Sequence, residues 1–202
     1  MNLNNRLGKI GSLITAITVF LFAICMITSF DFGGYFVCIF LSLGFIMMIA
    51  AFEAECNENT RVAGKIASVF AGIYAVLIMI VYFTQCTTIM NDNLSNEAMK
   101  ILNYKYMGML FNLDLLGYGI MALATFFIGL TIEVRNKKDK ALKALLLIHG
   151  IFFISCLIMP MTGVFVYSAE ETSIGGVIAL EFWCLYFLPI GILSYLHFKD
   201  TK

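Results

Sequence analysis

The chain has 202 residues, 61% hydrophobic and 13% charged, with 13 basic and 13 acidic side chains and no formal net charge. Soluble domains carry about 25% charged residues, so the composition excludes an ordinary water-soluble domain, and with it a soluble module for ATP hydrolysis or DNA reading. Zero net charge gives no reason to expect nucleic acid as a partner, but the basic residues cluster in particular loops and that clustering carries information.

Crossing a hydrocarbon core of about 30 Å takes roughly 20 apolar residues. Six runs qualify: 10–30, 35–52, 62–89, 106–132, 144–167 and 174–198. They predict an all-α integral membrane protein with six transmembrane helices in one bundle and a single polytopic domain over residues 1–202. The first run follows Arg6 and Lys9. It is longer than the apolar core of a signal peptide and no small-residue cleavage site follows, so it is expected to be retained.

The third run carries Gly64, Ser68 and Gly72 at four-residue spacing, a stripe that lets helix backbones approach closely in lipid; it predicts a central packing helix. The segment that follows, 91–105, is the longest connection on its side. Ser95 before Asn-Glu-Ala reads as the cap of a short helix leading into the fourth run, over the outer mouth of the bundle. The only prolines, Pro160 and Pro189, fall inside the fifth and sixth runs and predict kinks there.

The positive-inside rule sets the orientation. With both termini in the cytoplasm, 11 of the 13 basic residues lie inside, and only Lys100 and Lys105 lie outside with the acidic pair Glu170-Glu171. The expected topology is N-in/C-in in a cell membrane. The densest basic loop, with Arg135, Lys137, Lys138 and Lys140, would lie against anionic inner-leaflet lipids. The loop holding Glu53, Glu55, Glu58 and Arg61 reads as a solvated turn with local ion pairs.

Polar residues converge in the outer half of the membrane. At about 1.5 Å per residue, Asp114 lies roughly 12 Å and Glu181 roughly 10 Å below the outer ends of their helices. Gln85 lies close to the outer end of the third run, with Tyr82, Thr84, Thr87 and Thr88 around it. No Lys, Arg or His sits at this level to neutralise the two acids. An intramembrane acid faces the bundle interior, a partner or a water-filled cavity. The face to turn inward on the fourth helix is Asp114, Gly117, Tyr118, Met121, Ala122 and Thr125, which share one side at helical spacing.

Other chemistry finds little support. Serine nucleophile elbows, phosphate-binding glycine loops and haem-attachment motifs are absent, so no cofactor is expected. His149 and His197 are not in a two-ligand helical motif, no metal site is expected, and His149 reads as a hydrogen-bonded packing residue. The six cysteines, Cys25, Cys38, Cys56, Cys86, Cys156 and Cys184, lack zinc or disulfide spacing and read as packing residues, with a Cys25–Cys38 bridge the one pairing left open.

The leading expectation is a small polytopic protein with an outward-facing polar cavity that binds or transports a small molecule, proton-coupled or as a ligand sensor. Its candidate ligand-binding residues are Asp114, Glu181, Gln85, Tyr82, Tyr118 and Thr88. The alternative is an accessory subunit, possible as a homo-oligomer, whose buried polar groups only pack helices. A third option, an enzyme acting on lipid within the membrane, lacks a nucleophile or oxyanion donor near the acids.

Overall fold

The computed structural model describes residues 3–91, 93–163 and 172–200. Within them every regular element is helical, and six helical segments are long and apolar enough to cross a membrane. The long helices are α1 (Leu3–Ile27), α2 (Asp31–Glu53) and α3 (Arg61–Cys86). A short α4 (Asn96–Leu102) and a 3-10 turn (Tyr104–Tyr106) lead into α5 (Met109–Thr131). The fifth segment is split into α6 (Lys137–His149) and α7 (Phe152–Met161), and α8 (Thr172–Asp200) ends the described chain.

Local chemistry sets several boundaries. Ser95 caps α4 by accepting from the Ala98 amide, as its position predicts. Asn136 caps α6 by accepting from the amides of Lys138 and Asp139. The fourth long helix starts at Met109, not at residue 106, because Met107 takes a left-handed conformation with φ 52°. Gly108 follows it where any Cβ would run into the Lys100 carbonyl oxygen, so only glycine fits. The fifth segment breaks at Gly150, not at Pro160. A Cβ on Gly150 would lie 2.9 Å from Phe126 Cβ of α5, and the bonds from Gly150 to Leu147 and from Ile151 to Ile148 have tightened to three-residue spacing. The end of the predicted fifth run, 164–167, and the acidic pair Glu170-Glu171 lie outside the described residues.

The long helices form a closed circuit in which α8 packs on α1, α1 on α2, α2 on α3, α3 on α5, α5 on α6, and α6 back on α8. Short connections force neighbours to run antiparallel, so one end of the bundle gathers Leu3, the 54–60 turn, the 132–136 turn and Asp200. This end is called the terminal face and the other the opposite face. The tightest crossing is α1 on α2, where a Cβ on Gly11 would lie 2.6 Å from Met47 Cβ and from the Met48 nitrogen. The predicted glycine stripe on α3 does not act as a unit. Gly64 sits against Cys56, whereas a Cβ on Gly72 would meet nothing within 4 Å.

The middle of the ring is filled by rings. Phe45 of α2 meets Tyr74 of α3 (centroids 5.2 Å apart), Tyr74 meets Tyr118 of α5 (5.8 Å), Tyr118 meets Trp183 of α8 (5.1 Å) and Trp183 stacks on Phe187 (5.0 Å). This plug closes the core at mid-depth. By contrast α7 has no buried residue and packs mainly on α5. All six cysteines are free, so the Cys25–Cys38 bridge weighed from the sequence is not formed.

Candidate functional site

The opposite face holds a cavity of about 490 Å³ between α1, α2, α3, α8 and the segment that precedes α5. Its walls are mostly apolar, with Phe22, Met26, Phe111, Val177 and Leu180, and three tyrosines, Tyr35, Tyr82 and Tyr104, form its polar side. Those rings touch one another, at 5.7 Å between Tyr35 and Tyr82 and 5.8 Å between Tyr35 and Tyr104. At the rim Lys105 is ion-paired with Asp31.

The segment 102–108 is a strap across this cavity, and the sequence-predicted site residues anchor it. Gln85, 2% exposed, uses both ends of its amide on the strap's backbone. Its Nε2 donates to the Leu102 carbonyl (2.8 Å) and its Oε1 accepts from the Tyr104 amide (3.0 Å). Tyr104 then reaches inward and donates its hydroxyl to Asp114 Oδ2 at 3.0 Å. Burial, reinforced by the Asp114 carboxyl, holds the Tyr104 phenol well above its ordinary range, so it remains a donor at neutral pH.

Asp114 is 2% exposed and its second oxygen, Oδ1, is buried with no hydrogen-bond partner. Tyr82 stands beside it and lines the cavity. Tyr118, one turn deeper, donates to Cys38 Sγ at 3.7 Å and belongs to the aromatic plug. Thr88 is half-buried in the turn after α3, while Thr84 and Thr87 bond back to carbonyls of their own helix. Glu181 stands apart from the tyrosines. It is half-buried on α8 near Cys184, with Oε1 buried and without a partner. The structure thus brings Asp114, Tyr82 and Gln85 together around the strap, places Tyr118 below them, and leaves Glu181 and Thr88 outside that group.

Two further clusters were not singled out from the sequence. At the break between α6 and α7, Trp183 Nε1 donates to His149 Nε2 (3.2 Å). The indole can only donate, so the ring proton sits on His149 Nδ1 and is given to Thr125 Oγ1 (2.7 Å), whose own hydrogen goes to the Ala122 carbonyl (2.8 Å). Every member is satisfied, which is the packing role expected for His149.

The second cluster lies at the terminal face, where His197 of α8 is clamped between two acids. Its Nδ1 is 2.8 Å from Asp139 Oδ1 of α6 and its Nε2 is 2.9 Å from Glu55 Oε2 in the turn after α2. Arg135 approaches Glu55 at 3.7 Å, and its amide donates to Asp139 Oδ2. Side chains of His197 and Asp139 are each 3% exposed. Glu55 is therefore part of a long-range buried network, not of a solvated turn with only local pairs. The one signal in the sequence was depth, since His197, Asp139 and Glu55 all belong to the same end of the bundle. No group of three or more His, Cys, Asp or Glu among the described residues is arranged to hold a metal ion.

Comparison with known proteins adds no relative: no family model matches the chain, and neither the curated proteins nor the solved structures contain a significant match.

Proposed function

We propose that the protein is a multi-pass protein of the cell membrane, N-in/C-in, that binds a small amphipathic molecule in the opposite-face cavity, which opens outward in that topology. The observation that carries this reading is the cavity itself, whose volume of about 490 Å³ falls in the range of roughly 300–1,000 Å³ typical of small-molecule sites. Its occupant has an apolar body for the Phe22, Met26, Phe111 and Leu180 walls and a polar or cationic head for the tyrosine side. A cationic head is favoured because, among the described residues, Lys105 is the one basic residue lining the cavity and is already held by Asp31, whereas Asp114 behind the tyrosines has no basic partner. Asp114 and Tyr82 set the polarity of the floor, and Gln85 and Tyr104 hold the strap. On the inner side, Lys137 and Lys140 would face anionic lipid, with Lys138 paired to Asp200 and Arg135 drawn to Glu55.

The accessory-subunit reading has one observation in its favour: Gln85 and Tyr104 satisfy one another's segment without any ligand. Labelling separates the two. In a chain with its six cysteines replaced, cysteines introduced by Val177→Cys and Leu180→Cys on the cavity wall are expected to react with an impermeant thiol reagent added from outside. The control Leu185→Cys, on a side chain 73% exposed on the outer surface of the bundle, is expected to stay unreacted in lipid. Protection at both wall positions in folded protein would overturn the cavity reading and leave the packing role.

A further inference from the structure

The two ends of the bundle are built differently. The opposite face has the cavity, beside which Phe152 of α7 touches Tyr186 of α8. At the terminal face α6 and α8 close the ring, and the space beside Glu55, Arg135 and His197 is only about 10 Å³, room for a single water at most. Between the two lies the aromatic plug of Phe45, Tyr74, Tyr118, Trp183 and Phe187. Among the described residues, one end holds a cavity and the other is close-packed.

The seal is chemically unusual. Both ring nitrogens of His197 face carboxylate oxygens, at 2.8 and 2.9 Å. A neutral imidazole has one N–H, so the two bonds to ionised acids exist together only while the ring carries both protons. When one proton leaves, a nitrogen lone pair is set against a carboxylate whose other partners are few: among the described residues Glu55 has Arg135 beside it at 3.7 Å, and its Oε1 is buried without a partner there. Asp139 keeps the bond from the Arg135 amide but loses its bond to α8. Other charged groups stand at this face: Arg6 and Lys9 on α1, Glu53 at the end of α2 and Glu58 after it, Arg61 and Lys65 on α3, Glu133 before the Arg135 turn, Lys137, Lys140 and Lys143 on α6, Lys199 on α8, and the exposed Lys138–Asp200 pair. Buried ion clusters are weak devices for stability, since apolar side chains of similar volume hold helices as well or better. They are effective as two-state contacts.

We propose that Glu55, His197 and Asp139 form a proton-controlled terminal-face gate, closed in this structure, which makes the bundle an alternating-access carrier that releases its occupant on the terminal side when the second proton of His197 passes to water there. This rests on the cavity reading for the occupant, but the gate itself does not. His197 holds α8 to α6 and to the end of α2, so loss of one bond frees α8 from one side of the ring and lets the terminal end part around the plug.

Hydrogen–deuterium exchange of the full chain in lipid nanodiscs tests the gate, at pH 6 and pH 8.5 with exchange times corrected for the intrinsic pH effect. The expected result is that peptides covering 53–60, 132–142 and 193–200 lose protection by fivefold or more at pH 8.5, while the strap at 102–108 does not. The variant His197→Arg, permanently charged, is expected to keep these peptides protected at both values, and His197→Gln to give one level at both. Equal protection of the wild type at the two pH values, or a pH response that persists in His197→Arg, would overturn the proposal. A dodecyltrimethylammonium probe added in parallel reports on the cavity through protection of the strap. Strap protection without a pH response sinks the gate alone, and a pH response without strap protection leaves the gate and sinks the occupant.

Discussion

Gln85 shows how a single intramembrane polar residue is used. From its position among hydroxyls it reads as a ligand contact, yet its amide has one donor and one acceptor directed at the strap, 17 and 19 residues further along the chain. Replacing it with leucine leaves a buried carbonyl and a buried amide unpaired, at about 1–3 kcal/mol each in full desolvation. Gln85→Leu is therefore expected to lower unfolding stability by about 2 kcal/mol or more and to open the 102–108 segment to limited proteolysis. Thr88→Ala, at a half-buried turn position, should change stability by less than about 0.5 kcal/mol. Chemical unfolding in micelles, with proteolysis in parallel, measures both. Equal effects from the two variants would contradict the anchoring role. The tyrosine-to-carboxyl bond from Tyr104 to Asp114 was not legible beforehand, because Tyr104 stands outside the helix that carries the acid and only the left-handed Met107 and Gly108 turn it back.

Among the helices, small residues act by where they face and not by their spacing. Gly11 of α1 lies against the backbone of α2 at Met48, and a Cβ on Gly191 of α8 would lie 3.0 Å from Ala16 of α1. Gly72, which shares the more suggestive sequence pattern, faces open space. Gly11→Val is expected to destabilise by about 1–3 kcal/mol through overpacking. Gly72→Ala is expected to be neutral or to stabilise by up to about 1 kcal/mol, since alanine is the better helix former. Thermal unfolding of the two variants checks the contrast, and loss of stability in Gly72→Ala would mean that a contact covers that face. The break at Gly150 has the same origin: the helix tightens where the glycine backbone approaches Phe126, while Pro189 is carried inside a continuous α8.

At the scale of the whole molecule the charges and the ring have to agree on one orientation. Ten of the described basic residues lie at the terminal face, from Arg6 to Lys199, and Lys100 and Lys105 at the other. A reporter active only in the cytoplasm, fused after Lys202, is accordingly expected to be active, and one fused within the 91–95 segment inactive. The reverse pattern would place the cavity on the inner side and the His197 cluster on the outer. In the ring, α6 packs on α8 from the Asp139–His197 contact to the His149–Trp183 contact, and beyond Gly150 the α7 segment packs mainly on α5, with Phe152 touching Tyr186 of α8.

Six membrane-competent helices and their approximate ends follow from the sequence by itself, because apolar length and helical rise are local properties of the chain. What the tertiary structure alone decided is which residues meet. His197 finds Glu55 across 142 positions and Asp139 across 58, and Trp183 finds His149 across 34. Such meetings depend on the rotation of each helix about its axis and on the close crossing at Gly11. A nearly uniform apolar surface does not encode that rotation, since lipid and protein interior offer a leucine almost the same environment.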